Sequence, residues 1–380
     1  METNMTLIRS LAQSAMVAAL ALTVASAFAE EGVTKSSIVI GQSLAMIGPG
    51  SGLAAPFQQG AKLYFDRVNA AGGVNGRKIE LVTLDDRGSP ALTEANTKKL
   101  LDQGVLALFG YYGSPQVTKA YPLIKDTDVI LFAPMSAADE FRGAMYGNVY
   151  SVRPGYAEES AAITKHAETL GARKLAIVHA NDGESMAALD SAKRTMVSLG
   201  ANLVAESSMS GGNVANAVDK ALNAKPESVL VISDANGAAS IIRDIRAKGF
   251  RGPIYGYSNT GESLLAEELG PTGAGVVVVR VVPKSENPKA AVVRELIVDA
   301  QAAKLGKVNV YMVEGYIAAR VFTEALRRMP KEPTRARLRK AIEGLDNVNL
   351  GGFRVHFADD RTGSRLVELS LIDSQGKVRE

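Results

Sequence analysis

Leu106-Ala-Leu-Phe-Gly-Tyr-Tyr-Gly-Ser-Pro-Gln116 is the stretch that decides how this chain is read. The apolar run 105–109 has the length of a strand. It breaks at Gly110, crosses a short loop through Gly113, and meets Ser114-Pro115 at the head of an amphipathic run. Serine is a favoured N-cap and proline a favoured first helical residue. A strand that hands the chain through glycines to a capped helix leaves backbone N–H groups at its carboxyl end. There the helix dipole suits a carboxylate or a phosphate. Alone this is an ordinary βα turn; its recurrence along the chain points to a fold.

Working outward, strand and helix patterns alternate. Apolar strands are expected at 37–41, 79–84, 105–109 and 129–133, with helices at 53–70, 89–103 and 114–126 between them. Pro134-Met-Ser136 reads as another capped helix entry. After Arg153-Pro154 the alternation restarts, with strands at 174–179, 202–207, 228–233, 254–257 and 275–282. The segment 288–343 is largely helical, and two final strands are expected at 352–357 and 366–372. Strands alternating with helices of this length imply parallel sheets covered on both faces. The fold class is therefore α/β, with two similar doubly wound, Rossmann-like lobes.

Composition narrows the function classes. The 380 residues exceed one small core. An apolar fraction of 46% with 22% charged residues is that of a globular protein. The net charge of +3 is scattered, so no nucleic-acid footprint is present. With no Cys there is no disulfide framework or thiol nucleophile, and the three histidines, His166, His179 and His356, are far apart in sequence. No cofactor or metal motif is found.

The first 29 residues read as a leader. Arg9 precedes an apolar run from Leu11 to Val24, which ends in Ala25-Ser-Ala-Phe-Ala29 ahead of Glu30. This is the pattern of a signal peptide cleaved after Ala29, with an apolar run too short to span a bilayer comfortably. The mature protein is expected in the periplasm.

The order of these elements, with Gly72-Gly-Val-Asn-Gly76 before a strand ending in Asp85-Asp86, resembles the Leu/Ile/Val-binding family of periplasmic binding proteins, the solute receptors of ABC importers. Further marks are Gly110 with Gly113-Ser114, Ala133-Pro134, Arg153-Pro154, Gly249-Phe-Arg-Gly252 and Glu314-Gly-Tyr316. The resemblance covers essentially the whole mature chain. It implies a type I periplasmic binding protein fold whose lobes are joined by three crossovers, placed near 154, 283 and 350. Lobe 1 is then 36–154 plus 284–349, and lobe 2 is 155–283 plus 350–380.

In open α/β sheets ligands bind beyond the carboxyl ends of the strands. Two facing lobes therefore make a cleft that closes over a small solute. Tyr112, Ser114, Ser136-Ala137, Tyr156, Asp182, Asp234 and Ser258-Asn259 fall on its expected walls. The resemblance implies that Ser114 and the Ser136-Ala137 pair hold a ligand carboxylate, with the second hydroxyl one residue earlier than the family has it. Ser136 either replaces it or caps a helix, and Tyr156 either reaches the ligand or belongs to the core. In amino-acid-binding relatives an acid stands at about Ser258 and an aromatic near Glu184; this chain has neither. A buried ammonium without a counter-charge is costly, so Asp234, then Asp182, is the expected partner, each being equally a helix cap.

The resemblance thus implies a soluble carrier that takes an amino acid or related small carboxylate to a membrane permease. A receptor lobe sensing a non-amino organic acid would share the fold. An exported enzyme is the weaker alternative. Gly50-Ser-Gly-Leu-Ala-Ala55 resembles a dinucleotide fingerprint but sits beyond the strand end, and Gly256-Tyr-Ser258-Asn-Thr260 lacks the last glycine of a nucleophile elbow. No catalytic constellation is found.

Overall fold

A computed structural model of the protein describes residues 31–209, 213–287, 289–357 and 361–379. The expected leader, 1–29, lies outside them. Five strands form the first sheet: β1 (Ser37–Leu44), β2 (Lys78–Asp85), β3 (Ala107–Phe109), β4 (Leu131–Phe132) and β5 (Val149–Tyr150). They are all parallel, in the order β2-β1-β3-β4-β5. The second sheet repeats that order. In it β6 (Lys174–His179), β7 (Asn202–Ser208), β8 (Ser228–Ile232), β9 (Ile254–Gly256) and β10 (Val276–Arg280) run parallel. The antiparallel strands β13 (Glu368–Ile372) and β14 (Val378–Arg379) complete its free side. Every residue of β8 and of β10 is buried, as continuous apolar strands covered on both faces should be.

Between the strands of the first sheet run α1 (Ser51–Ala70), α2 (Pro90–Asp102) and the short α3 (Ser114–Ala120). Pro122 tightens the end of the expected 114–126 helix into a 3₁₀ turn at Tyr121–Leu123. The second sheet carries α4 (Tyr156–Thr169), α5 (Gly183–Ser198), α6 (Val214–Asn223), α7 (Ala235–Ala247) and α8 (Glu262–Leu269). The helices α9 (Ala291–Ala302), α10 (Val310–Arg328) and α11 (Arg335–Glu343) return to the first lobe. Helix α10 is buried along most of its surface because it lies inside that lobe, against α1. Their backbones touch through glycines: a Cβ on Gly60 would stand 2.0 Å from Met312 O, and one on Gly315 1.9 Å from Phe57 O.

The chain crosses between lobes three times. It leaves the first sheet after β5 and enters the second lobe at α4. The return falls between Val281, in the second lobe's core, and Val282, in the first. The last crossing comes later than residue 350. The hairpin β11 (Val348–Asn349) and β12 (Arg354–Val355) buries Phe353, Val355 and Phe357 on the first core, and the second sheet is rejoined only at β13. The first and last crossovers run side by side, with Ser151 N donating to Arg361 O at 3.0 Å and Gly363 N to Ser151 O at 2.7 Å.

The helix entry expected at Pro134-Met-Ser136 is absent. Met135 instead extends the β3–β4 pairing, bridging to Tyr112, with its N–H given to Tyr111 O at 2.7 Å. Ala133 turns the chain there with a left-handed φ of 52°. Both that φ and the position before a proline are unfavourable for alanine, so the surrounding packing must hold it.

Candidate functional site

Each parallel sheet reverses its winding between its two innermost neighbours, β1 and β3 in one lobe and β6 and β8 in the other. A crevice opens at such a switch point, beyond the carboxyl ends of the strands. The segments that leave those ends, 45–50, 110–114, 180–184 and 233–234, face one another across the lobes.

Ser114 was expected as the N-cap of its helix. The cap is Gly113, with φ 94° and ψ 140°, and no side chain caps this helix. Ser114 is therefore the first helical residue, and neither its N–H nor its hydroxyl is spent on the turn. Both point at Glu184, whose Oε2 lies 2.6 Å from Ser114 N and 2.5 Å from Ser114 Oγ. The Tyr156 hydroxyl donates to Glu184 Oε1 at 2.7 Å. The Ser136 hydroxyl lies 3.3 Å from both carboxylate oxygens and 2.8 Å from Ser114 Oγ. Burial, then the nearby Glu184 and Glu159, drives the Tyr156 pKa well up, so the phenol stays a donor. Three of the residues singled out from the sequence thus meet around one carboxylate, and that carboxylate belongs to the chain itself.

Ser136 caps no helix: its hydroxyl accepts from Ala138 N at 3.2 Å within a turn, and the 3₁₀ turn Asp139–Arg142 that follows has Ala138 at its N-cap and no side-chain cap. Ala137 does not reach the carboxylate. It is fully buried and its carbonyl accepts the Tyr156 N–H at 2.8 Å, holding the tyrosine in place. Tyr112, Asp182, Glu184, Asp234 and Asn259 line a cavity of ≈ 340 Å³ beside the cradle. Asp182 and Asp234 are indeed helix caps, accepting from Ser185 N and Gly237 N at 2.9 Å each, while still facing this cavity. Burial first, then Glu184, Asp182 and Asp234, pushes the Tyr112 pKa up, with Arg153 opposing. Asn259 is 7% exposed, and its Oδ1 has no hydrogen-bond partner among the described residues.

Ser258 stands where relatives were expected to carry an acid, and an acid reaches it from elsewhere. Its N–H and hydroxyl donate to the two oxygens of Glu159, at 2.9 and 2.8 Å, and Arg153 also bonds its hydroxyl. Arg153 lies between Glu159 of the second lobe, at 3.4 Å, and Glu314 of the first, at 3.3 Å. All three are nearly inaccessible to water. Burial raises the pKa of both glutamates, against the pull of Arg153. For Arg153 burial acts downward, but Glu314 and Glu159 outweigh it and the net shift is upward. Arg153 and Glu314 stood out in the sequence only as family marks. Glu159 carried no signal, and Glu184 registered only as the place of a missing aromatic.

Among the described residues no group of three or more His, Cys, Asp or Glu could hold a metal ion. What the site offers is a set of hydrogen-bond donors for one carboxylate, an acidic cavity beside it, and a contact that exists only where the two lobes meet.

Comparison with known proteins agrees with this architecture. The family model described as periplasmic binding protein matches residues 37–377. An amino acid binding protein of Pseudomonas aeruginosa is 23% identical over 265 residues, covering 69% of this chain and 70% of that protein. The Leu/Ile/Val-binding protein of Escherichia coli is 23% identical over 272 residues, covering 69% and 72%. The crystal structure of an extracellular ligand-binding receptor from Verminephrobacter eiseniae superposes with a TM-score of 0.84 at 25% identity, covering 91% of this chain and 100% of that one.

Proposed function

The chain belongs to the periplasmic binding protein family, in its Leu/Ile/Val-binding branch, and on that premise we propose that it is the substrate-binding component of an ABC importer. It captures an amino acid or a related small carboxylate in the cleft between its lobes and delivers it to a membrane permease. The observation that carries this reading is the convergence of Ser114 N, Ser114 Oγ, Ser136 Oγ and Tyr156 OH on a single carboxylate. Donors so arranged form short, charge-assisted bonds to such a group wherever it comes from. An ammonium on the same solute would find Asp234 and Asp182 across the adjoining cavity, and Asn259 Oδ1 as an acceptor. The solute is held between the closed lobes, and the closed form that carries it is the one the permease accepts. The family model that matches the chain is that of a periplasmic binding protein, which supports a carrier over an enzyme.

The protein works in the periplasm after cleavage behind Ala29, which the mass of the exported chain would check. The ligand class is tested by a thermal-shift screen of residues 30–380 against amino acids, their amine-free analogues and aromatic acids. A ligand at 100 times its Kd adds about 2.7 kcal/mol of stability. Shifts confined to solutes that lack a carboxylate would refute the reading.

A further inference from the structure

We propose that Glu184 is a tethered competitor of the solute, a carboxylate of the second lobe that occupies the cradle itself, latches the cleft shut, and sets which solutes can enter. This rests on the reading of the cradle as a carboxylate receptor, and adds to it the residue that contests the place.

The geometry is that of an occupied site. Glu184 is 7% exposed and takes up all four donors of the cradle. Two of the residues that supply them, Ser114 and Ser136, belong to the first lobe, whereas Glu184 is the second residue of α5 in the second. Opening the cleft must break the bonds to Ser114 and Ser136. Beside them the lobes touch directly: a Cβ on Gly183 would lie 2.2 Å from Pro115 Cγ. A group carried by the same chain acts at an effective concentration of roughly millimolar or more. A solute carboxylate must outcompete that, and its apparent affinity falls in proportion to the fraction of molecules with the cradle free.

Displacement also selects. Two carboxylates cannot share these donors, so an entering solute drives Glu184 toward the cavity already faced by Asp182 and Asp234. Three acids gathered there are relieved by a cation and by nothing else on the cavity wall. A solute carrying an ammonium near its carboxylate supplies that cation; an amine-free acid does not. Glu184 thereby favours zwitterions and takes up the role of the acid missing at Ser258.

Interlobe distance tests this before the solute is identified. The chain has no cysteine, so nitroxide labels at Lys98→Cys and Lys193→Cys, on α2 and α5, report one distance. Without added solute, Glu184→Gln and Glu184→Gly proteins are expected to show a longer, broader distance than the parent, while unfolding in transitions like the parent's. Acetate at tens of millimolar, but not acetamide, should restore the short distance in Glu184→Gly and leave the parent unchanged. Both variants as closed as the parent would overturn the latch. Opening without rescue by acetate would uphold Glu184 as the group that closes the lobes, but would overturn the carboxylate reading of the cradle and with it the competition.

Discussion

Glu184 and Ser114 belong to different lobes, yet Oε2 of the glutamate lies 2.5 Å from the serine hydroxyl and 2.6 Å from its amide nitrogen. The proposed function assigns these same donors to a solute carboxylate, so the two would compete for them.

Removing the Ser114 hydroxyl in the parent protein would weaken both competitors at once. The informative background is Glu184→Ala, in which only the solute uses the cradle. There, Ser114→Ala should cost about 1–3 kcal/mol of solute affinity, the worth of a charge-assisted hydrogen bond. Calorimetry on the single and double variants measures the difference. Equal affinities would remove Ser114 from the site.

Gly183 keeps the lobes in contact. Its φ does not call for glycine, so Gly183→Ala suits the start of α5, but the new methyl meets the rigid ring of Pro115 at 2.2 Å. The lobes should be wedged apart, at the expense of the bonds from Glu184 to Ser114 and Ser136. The radius of gyration in solution should rise, and an unchanged radius would contradict the wedge.

Arg153 holds two buried glutamates from opposite lobes, Glu159 and Glu314. Replacing it by methionine leaves both acids without their counter-charge. A loss of about 3–5 kcal/mol in urea unfolding at neutral pH is expected. The loss should shrink on acidification, when the carboxyls can take up protons.

Glu314 gives the sign of a pH effect. Burial raises its folded pKa above the usual 4.5, with Arg153 opposing. The folded state therefore binds the proton more tightly than the unfolded state. The stability this confers is complete below the unfolded value and is lost as pH rises through the folded one. Glu314→Gln removes the dependence. The unfolding free energy of the parent minus that of the variant should grow as pH falls from 7 toward 4.5, and an opposite slope would contradict the assigned shift.

The alternation of strands and helices was legible in the sequence because each half of it is a local pattern. The strand 174–179 falls on its expected residues, and α1 ends at Ala70, where the helix 53–70 was expected to end. The failures lie where tertiary contacts take over. Pro134-Met-Ser136 looks like a helix start, but its backbone is engaged by the neighbouring strand's end at Tyr111 and Tyr112. Ser114 and Ser136 could be placed on the cleft wall, whereas their occupant could not. Glu184 follows Asp182-Gly183 at a helix start, where an acid is usually a surface residue satisfying the dipole. Only the approach of the other lobe makes it a ligand. Arg153 likewise stands at a crossover, and its partners come from helices far apart in the chain.

The most direct test of the carboxylate cradle compares one solute with its own amide. The strongest hit of the thermal-shift screen and the corresponding carboxamide would be titrated into residues 30–380 by calorimetry. Loss of hydrogen bonds to a charged group should weaken the amide by about 1.5–3 kcal/mol, on the order of ten- to a hundredfold in Kd. An amide that binds as tightly as the acid would contradict the account, and would mean that the donors of Ser114, Ser136 and Tyr156 serve Glu184 alone.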